Sequence, residues 1–501
     1  MNFLIAKFKA CNKLLLAVSI FYILFLNCCL ISGWKQDFST EQKYIFAAAK
    51  IISIPLIIFL FQAAGIFLKK LKEKNEKALF YAKYTLFYFL INVFVFFLLY
   101  PVQEGHYDIS YAYDLIKNYE FNPFINITSN LVHLTFYHII PSLQGIILSS
   151  LFLFSIIFSY CIYGVKQYIS SKYYKIAAIP FLIPAFLVYN GIPRRHIYAA
   201  WCFLFMFLFL LFNKNKKIGN IAAAVFFGIL TAYFMNVRAE FLILIVIYPL
   251  IVFLYKIFSK KCFILYLVIF FSSYFLLSSI QNHFHNMTRY KNDNYIMAYT
   301  LLHNDGRAAL AEKDKKMLKE VFPEIDNFSL DTDKSEKEIK QAQQVLERMI
   351  AQNAFYILKR NINLYEGSRS SMDFHFLKFS SSPEYFQGAQ IFRNELNKHP
   401  RKEKILSYFI YGTDNYFVSD IHKTYYSIKL NLVLLLVMLF GGLASKKRFY
   451  CIFSCAAMLI LIPAAVFAVS LSVIYYYISF FNIQVMFFIF LADLLGKKKN
   501  E

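Results

Sequence analysis

Charged residues are scarce in this chain of 501 residues, because Asp, Glu, Lys and Arg make up only 17% of it while apolar residues make up 59%. A soluble globular domain has about a quarter of its residues charged. Glycine and proline are also few, at 15 and 12 residues, which excludes collagen-like repeats and low-complexity disorder. Length alone would predict about three soluble domains, but apolar runs of membrane-spanning length recur along the chain. The sequence therefore predicts a polytopic membrane protein.

Motifs for nucleotides and metals are missing as well. The chain contains neither a Walker loop nor a GxGxxG that opens a helix after a strand, and the predicted cytoplasmic loops are too short for a nucleotide-binding domain, so an ATP-driven pump is excluded. All eight cysteines lie in or beside apolar runs, which indicates neither a disulfide framework nor an extracytoplasmic zinc cluster. We therefore predict no cofactor and no metal ligand.

The net charge of +23 is what a nucleic-acid-binding protein would show, but the distribution of the charge favours another explanation. Alternate short loops and the two termini hold 24 Lys and Arg against three acidic residues, whereas the short segments between them hold only seven cations. Basic loops on one side are the positive-inside signature. The charge therefore predicts membrane topology, with both termini cytoplasmic and membrane lipids, but no nucleic acid, as partners.

Runs and loops together predict about twelve transmembrane helices. The first follows a basic start but lacks a convincing cleavage site, so we expect it to be retained. The predicted spans are 14–33, 51–68, 84–100, 143–164, 176–190, 197–212, 218–235, 241–255, 262–279, 428–444, 451–474 and 478–495.

Two predicted outer segments are long, at 101–142 and 280–427. The second has 21 Lys and Arg against 19 Asp and Glu, and apolar residues recur in it at helical spacing. We expect a small, mostly helical extracytoplasmic domain there. The periodic residues are Ile339, Leu346, Met349, Ile350, Ile357 and Leu364.

Ionisable groups at a membrane edge are functional candidates because they are costly there. Glu104 and Asp108 open the first outer segment four residues apart, on one face of a helix if that stretch is helical. A carboxylate at such an interface can act as a general base, and arginines suit a bound phosphate. The remaining candidates, all for substrate binding, are His106, Tyr107, Arg194, Arg195, His196, Arg238 and Glu240.

These residues also have simpler explanations. Arg194 and Arg195 could bind lipid headgroups, and Glu104 could cap a helix. Arg238 and Glu240 could form a pair that stabilises their turn. The conjunction of all these residues on one predicted side favours transfer of a group from a phosphate-bearing lipid to an acceptor hydroxyl.

The first outer segment resembles that of the GT-C glycosyltransferases, which include protein O-mannosyltransferases and lipid A aminoarabinose transferases. Their loop opens with a pattern like Asp-Glu-x-x-Tyr, and the stretch here reads Gln103-Glu104-Gly105-His106-Tyr107, followed by DISYAYDLI. The Asp position is Gln103, and Asp108 is the candidate to replace that acid. The segments NGIPRRHIYAAWCFLF, MNVRAEFLILIV and HNDGRAALAEKDKKMLKEVFPEID are similar to later parts of bacterial members.

The resemblance implies inverting transfer of a sugar from a polyprenyl-phosphate carrier at the outer face of a bacterial inner membrane. A carboxylate, Glu104 or Asp108, would deprotonate the hydroxyl of a glycan, lipid or protein acceptor. The arginines would stabilise the departing phosphate. Some branches use a divalent metal, which these two carboxylates could hold through their oxygens.

The expected fold is accordingly an all-α polytopic membrane protein, a GT-C-like bundle of about twelve transmembrane helices with an inserted, mostly helical outer domain. Its predicted parts are 1–83 (two N-terminal helices and a basic loop), 84–279 (the core), 280–427 (the outer domain) and 428–501 (three helices and a basic tail). Two alternatives stay open, an O-antigen or capsule polymerase and a non-catalytic lipid or glycan transporter (flippase). A transporter would favour charges near the membrane midplane and an inverted repeat.

Overall fold

A computed structural model of the chain describes residues 13–31, 38–100, 113–121, 127–169, 172–191, 195–237, 241, 244–284, 295, 298–307, 310–322, 335–368, 398–406, 408, 424–467 and 476–496. The described chain is nearly all helical, and no strand occurs in it. The predicted all-α class is therefore confirmed.

The chain forms two compact units. The first comprises residues 1–214, 376–418 and 488–501, and the second comprises residues 215–375 and 419–487. The first unit contains α1 (Lys13–Ile31), α2 (Thr40–Lys72), α3 (Glu76–Leu99), α4 (Ile127–Ile139), α5 (Leu143–Tyr168), a 3-10 helix (Lys172–Leu182), α6 (Pro184–Asn190) and α7 (Arg195–Asn213). The second contains α8 (Ile221–Val237), α9 (Leu244–Leu254), α10 (Lys260–Phe284), α11 (Glu312–Val321) and α12 (Glu336–Ser368). Further along the chain lie α13 (Pro400–Ile405, first unit), α14 (Ile428–Ala444) and α15 (Arg448–Phe467, both second unit), and α16 (Tyr477–Leu495), whose sequence crosses the boundary between the units.

Six of the described helices, α2, α3, α5, α7, α10 and α16, are long and apolar enough to cross a membrane. Helices α1, α8, α9, α14 and α15 provide shorter apolar stretches. The structure thus supports an integral membrane protein, and a full set of twelve spans stays a prediction.

Two predicted spans differ from a single long helix. Over 176–190 the chain forms a 3-10 helix and then α6, with Pro180 inside the former and Pro184 in the first turn of the latter. A proline has no N–H to donate and its ring clashes with the preceding turn, so a regular α-helix does not continue through this stretch. Within 241–255, α9 has 11 residues, which rise about 16 Å, roughly half of the hydrocarbon thickness.

Lysines end several of the helices in the basic loops. Helix-terminating residues with positive φ are usually glycine, because a side chain costs about 1 kcal/mol or more in that conformation. Here a lysine adopts it, and a cation near a helix C-terminus interacts favourably with the helix dipole. The three lysines are Lys74 (φ 54°), Lys256 (φ 48°) and Lys446 (φ 57°), which follow α2, α9 and α14.

Packing in the second unit is closest between α8 and α10. Ser278 donates a hydrogen bond to Asn236 Oδ1 (2.9 Å), and the Tyr266 hydroxyl lies 3.4 Å from Thr231 Oγ1. Polar pairs of this kind hold membrane helices together where apolar packing alone gives little orientation. These two contacts fix the rotation of α8 against α10.

The segment 298–368 of the second unit has a hydrophobic core of its own, to which Leu346, Met349, Ile350 and Ile357 of α12 contribute. Asp305 fixes the preceding helical stretch on α12, since its Oδ2 lies 2.8 Å from Arg360 Nε and accepts a hydrogen bond from the Tyr356 hydroxyl at 2.8 Å. The helical spacing read from the sequence thus corresponds to the buried face of a 33-residue helix. The predicted division of the chain into four parts, and the side of the membrane on which this segment lies, stay predictions.

Candidate functional site

Helix α4 follows the first long segment and buries an unusual number of polar side chains. Thr128, Ser129, Asn130, His133 and His138 are all buried. Buried polar groups are costly, because desolvation without a hydrogen bond costs more than a kilocalorie per mole. These side chains therefore make α4 a candidate part of a functional site.

Tyr198, in the first turn of α7, connects that helix to α4 and α5. Its hydroxyl lies 2.7 Å from Ser150 Oγ, and its ring meets the His133 imidazole edge-on with centroids 5.4 Å apart. The start of α7 is thereby held against the helix that leaves the first long segment.

A second group of polar side chains, the amide cluster, consists of Tyr88, Asn92, Asn190 and Trp201. Asn190 Nδ2 lies 3.0 Å from both the Tyr88 hydroxyl and Asn92 Oδ1, and its Oδ1 accepts from Trp201 Nε1 at 3.0 Å. All four residues are almost fully buried. One asparagine thus connects the end of α6 to both α3 and α7.

Phe154 of α5 lies between the amide cluster and Tyr198. Its ring is stacked on Trp201 (centroids 5.0 Å apart, 6° between planes) and lies 5.9 Å from the Tyr198 ring. Together these contacts tie α3, α4, α5, α6 and α7 around the first turns of α7. These side chains include no carboxylate, lysine or arginine, so they position α7 through neutral hydrogen bonds and ring contacts.

Arg195 and His196 are the sequence-predicted site residues that the structure describes. Arg195 begins α7 and is half-buried, and His196 follows it and is buried. Both lie within one turn of Tyr198. The structure therefore brings the start of α7, where Arg195 lies, close to α4, the helix that follows the predicted catalytic segment.

The other sequence-predicted site residues lie outside the described residues. They are Glu104, His106, Tyr107, Asp108, Arg194, Arg238 and Glu240. Within the described ranges, no three His, Cys, Asp or Glu side chains come together as a metal ion would need, and the carboxylates proposed to hold one are not among the residues searched.

The amide cluster and the buried polar side chains of α4 were not predicted from the sequence. The candidate site residues in the sequence were ionisable groups, whereas these side chains are neutral. A signal did exist, because Asn92 lies within an apolar run and the stretch ITSNLVH carries four polar residues in a helix of otherwise apolar character. Neutral polar residues inside apolar runs therefore deserve the same attention as ionisable ones.

Removing the asparagine side chain at the centre of the amide cluster should destabilise the first unit. We expect Asn190→Leu to lower the free energy of unfolding by about 2 kcal/mol, because the Trp201 N–H and the partners on α3 are left buried without their acceptor or donor. The measurement is thermal or urea denaturation in detergent. A double-mutant cycle with Trp201→Phe should give a coupling energy of about 1 kcal/mol.

Thr135→Val is the control for that variant, since the Thr135 hydroxyl only returns to a carbonyl of its own helix, that of Leu131 (2.7 Å). It should change the unfolding free energy by less than about 0.5 kcal/mol. Equal losses for Asn190→Leu and Thr135→Val would show that the amide cluster has no special part in stability.

His138, near the end of α4, is buried in an aromatic surrounding, and neither ring nitrogen has a hydrogen-bond partner in the described part of the chain. Burial, with a smaller contribution from the nearby Lys50 charge, lowers the pKa of His138 to about 3. The folded protein therefore keeps this imidazole neutral at pH values where an unfolded chain would protonate it.

Acid should consequently destabilise the protein through His138. The folded-state pKa of His138 lies below its unfolded value of about 6.5, so at pH values between these two pKa values the unfolded state binds more protons than the folded state. The free energy of unfolding is therefore highest above pH 6.5 and falls as the pH drops below 6.5. Between pH 7 and pH 5 we expect a loss of about 2 kcal/mol from this group. Denaturation of lipid-depleted protein in phosphate-free detergent at pH 7 and pH 5 measures this loss. The same measurement on His138→Leu should show a loss of unfolding free energy that is smaller by about 2 kcal/mol. Identical pH profiles for the two proteins would contradict it.

Comparison of the chain with protein-family models, with curated proteins and with solved structures found no match. The class that fold and site define is an all-helical integral membrane protein with a polar, rigidly packed region around the start of α7.

Proposed function

We propose that the protein is an integral membrane glycosyltransferase that moves a sugar from a polyprenyl-phosphate-linked donor to an acceptor hydroxyl at the outer face of the membrane. The acceptor would be a glycolipid, a polysaccharide or a protein. The observation that carries the proposal is the contact of Tyr198 with His133 and Ser150. It favours closeness between the Arg194–Arg195 turn and the chain that enters α4.

In this proposal, the roles follow from the chemistry of the side chains. Glu104 or Asp108 takes the proton of the acceptor hydroxyl, and the hydroxyl oxygen attacks the anomeric carbon in line, with inversion. The bond from that carbon to the carrier phosphate breaks, and guanidinium groups stabilise the charge that develops on the departing phosphate. His106, Tyr107, His196, Arg238 and Glu240 would bind the substrates around them.

Rigid packing supports such a reaction, because a misplacement of about 1 Å can cost two orders of magnitude in rate. The amide cluster fixes α6 to α7, and Tyr198 fixes α7 to α4 and α5. These neutral contacts hold the start of α7, where Arg195 lies, without neutralising its positive charge.

Lipid-linked glycans and surface polysaccharide in a deletion strain test this function. Mass spectrometry should show a sugar-loaded polyprenyl carrier that accumulates and a glycan that lacks one residue. Reconstituted protein should then transfer the sugar from that carrier in vitro. A carrier pool and a surface glycan identical to those of the parent strain would contradict the proposal. Loss of long chains with every residue still present would instead indicate the polymerase.

The transporter alternative has one observation in its favour. The 3-10 helix and α6 interrupt what would otherwise be a single span, and interrupted helices are common in transporters. Reconstituted vesicles distinguish the two functions, since a flippase moves a labelled lipid-linked sugar across the bilayer without changing it, whereas a transferase leaves a carrier phosphate without its sugar.

A further inference from the structure

A lysine lies in the membrane-facing helix α2 without an acidic partner. Lys50 is half-buried, and no carboxylate pairs with it among the described residues. Its Nζ lies 5.3 Å from the centroid of the Phe46 ring one turn earlier. A partly desolvated cation whose described neighbour is an aromatic face is attracted to any anion that can reach it.

The same phenylalanine ring also lies near His138, whose imidazole centroid is 6.1 Å from the ring centroid. His138 is 1% exposed, and both of its nitrogens lack a hydrogen-bond partner in the described chain. A neutral imidazole has one N–H to donate. Lys50 and His138 thus present an unpaired charge and an unpaired donor around one ring.

Tyr119 closes this arrangement at a cost in backbone energy. It ends the helical turn at 113–117 with a positive φ of 57°, where glycine is the usual residue. Its ring packs 5.0 Å from Phe46 and 5.8 Å from His138. The ring contacts stabilise a conformation that costs about 1 kcal/mol.

The position of Lys50 along α2 sets its depth in the membrane. The stretch from Ile51 to Leu68 has no charged residue, and Lys69, Lys70 and Lys72 follow it. From Lys50 to Lys69 the helix rises about 28 Å, which matches the thickness of the hydrocarbon core. With the lysine cluster at one boundary, Lys50 lies at the headgroup level of the opposite boundary, where the abundant anion is phosphate.

We propose that Lys50 and His138 bind one phosphate group at this boundary, in a site lined by Phe46 and Tyr119. The site is separate from the transfer chemistry and does not depend on the proposed function. Lys50 supplies the charge and the neutral His138 supplies an N–H donor. The phosphate would come from a membrane lipid, or from inorganic phosphate in the aqueous phase.

Purified, lipid-depleted full-length protein in a neutral detergent free of phosphate tests the site. Dioleoylphosphatidylglycerol and inorganic phosphate are titrated separately, and the midpoint of thermal denaturation is followed, with native mass spectrometry to count bound lipid. We expect saturable stabilisation of the wild type by the lipid and one retained lipid molecule. Protection by inorganic phosphate at comparable concentration would instead assign the site to the free ion.

Variants decide whether these residues form the site. Lys50→Gln and His138→Leu should each weaken the apparent affinity at least tenfold, while Lys50→Arg and His138→Gln, which keep the charge or an N–H donor, should bind within about threefold of the wild type. Lys43→Gln, which removes one exposed lysine of the same helix, is the control for net charge and should bind normally. Unchanged affinity in Lys50→Gln, an equal loss in Lys43→Gln, or no protection of the wild type by either phosphate overturns the proposal.

Discussion

Glycosyl transfer should fall at least a thousandfold when Glu104→Gln and Asp108→Asn are combined. Both changes keep the size of the side chain and remove the carboxylate that could take the proton of the acceptor. General-base catalysis is worth about 10² to 10⁴ in rate. The turnover of a lipid-linked sugar by reconstituted protein measures this effect, and the single variants identify which acid is the base.

Asp114→Asn provides the matched control, because Asp114 lies in the same predicted outer segment and its side chain is exposed, while its backbone carbonyl accepts from Asn118. It should transfer sugar at the wild-type rate. Membrane insertion and detergent stability of all variants should equal those of the wild type, since isosteric changes in an aqueous segment leave packing intact. Full activity of the doubly substituted protein would show that the catalytic site has been assigned to the wrong residues.

A loss of about 10² to 10³ in the rate of transfer is expected for Arg194→Gln combined with Arg195→Gln. Removal of one preorganised donor to a developing oxyanion costs about that much, and the arginines cannot be replaced by a neutral amide of similar length. The effect should appear mainly in kcat, because the charge on the phosphate grows as the bond to the sugar breaks.

Lysine substitutions at the same two positions separate charge from geometry. They keep the positive charge but lose the planar fork that binds phosphate through two N–H groups, so an intermediate loss of about tenfold is expected. Arg401→Gln removes an exposed arginine of the same unit and should leave transfer unchanged. If Arg401→Gln and the Arg194–Arg195 variants lower the rate of transfer equally, the loss is caused by the lower net charge of the protein and not by the removal of a phosphate-binding group.

The class of the protein was predictable from sequence because apolar runs leave few possibilities. Backbone groups in hydrocarbon must be paired within the chain, so an uncharged run such as Ile51–Leu68 forms a helix whatever its neighbours are. The six long apolar helices confirm this prediction. The periodic residues of α12 show the same principle in the segment 298–368, since Leu346, Met349 and Ile350 all face its core.

Element boundaries were less predictable. The run 176–189 is apolar enough to predict one span, yet Pro180 and Pro184 divide it, because hydropathy does not weigh the backbone N–H groups that prolines lack. Likewise α2 extends to Thr40, ten residues before Lys50, since Ser39 caps it with a hydrogen bond to the Gln42 N–H. Such ends are fixed by single local contacts.

The sequence by itself determined that this is a helical membrane protein, with charge concentrated in alternate loops and acids and arginines grouped in a few segments. The physical reason is that hydrophobic length and charge asymmetry act on each helix separately. Only the tertiary structure decided that Asn190 joins α3 to α7, that Tyr198 meets His133 across 65 residues of sequence, and that Lys50 and His138 lie against one phenylalanine ring. Those partnerships depend on which helices pack together and at what rotation, and no helix carries that information alone.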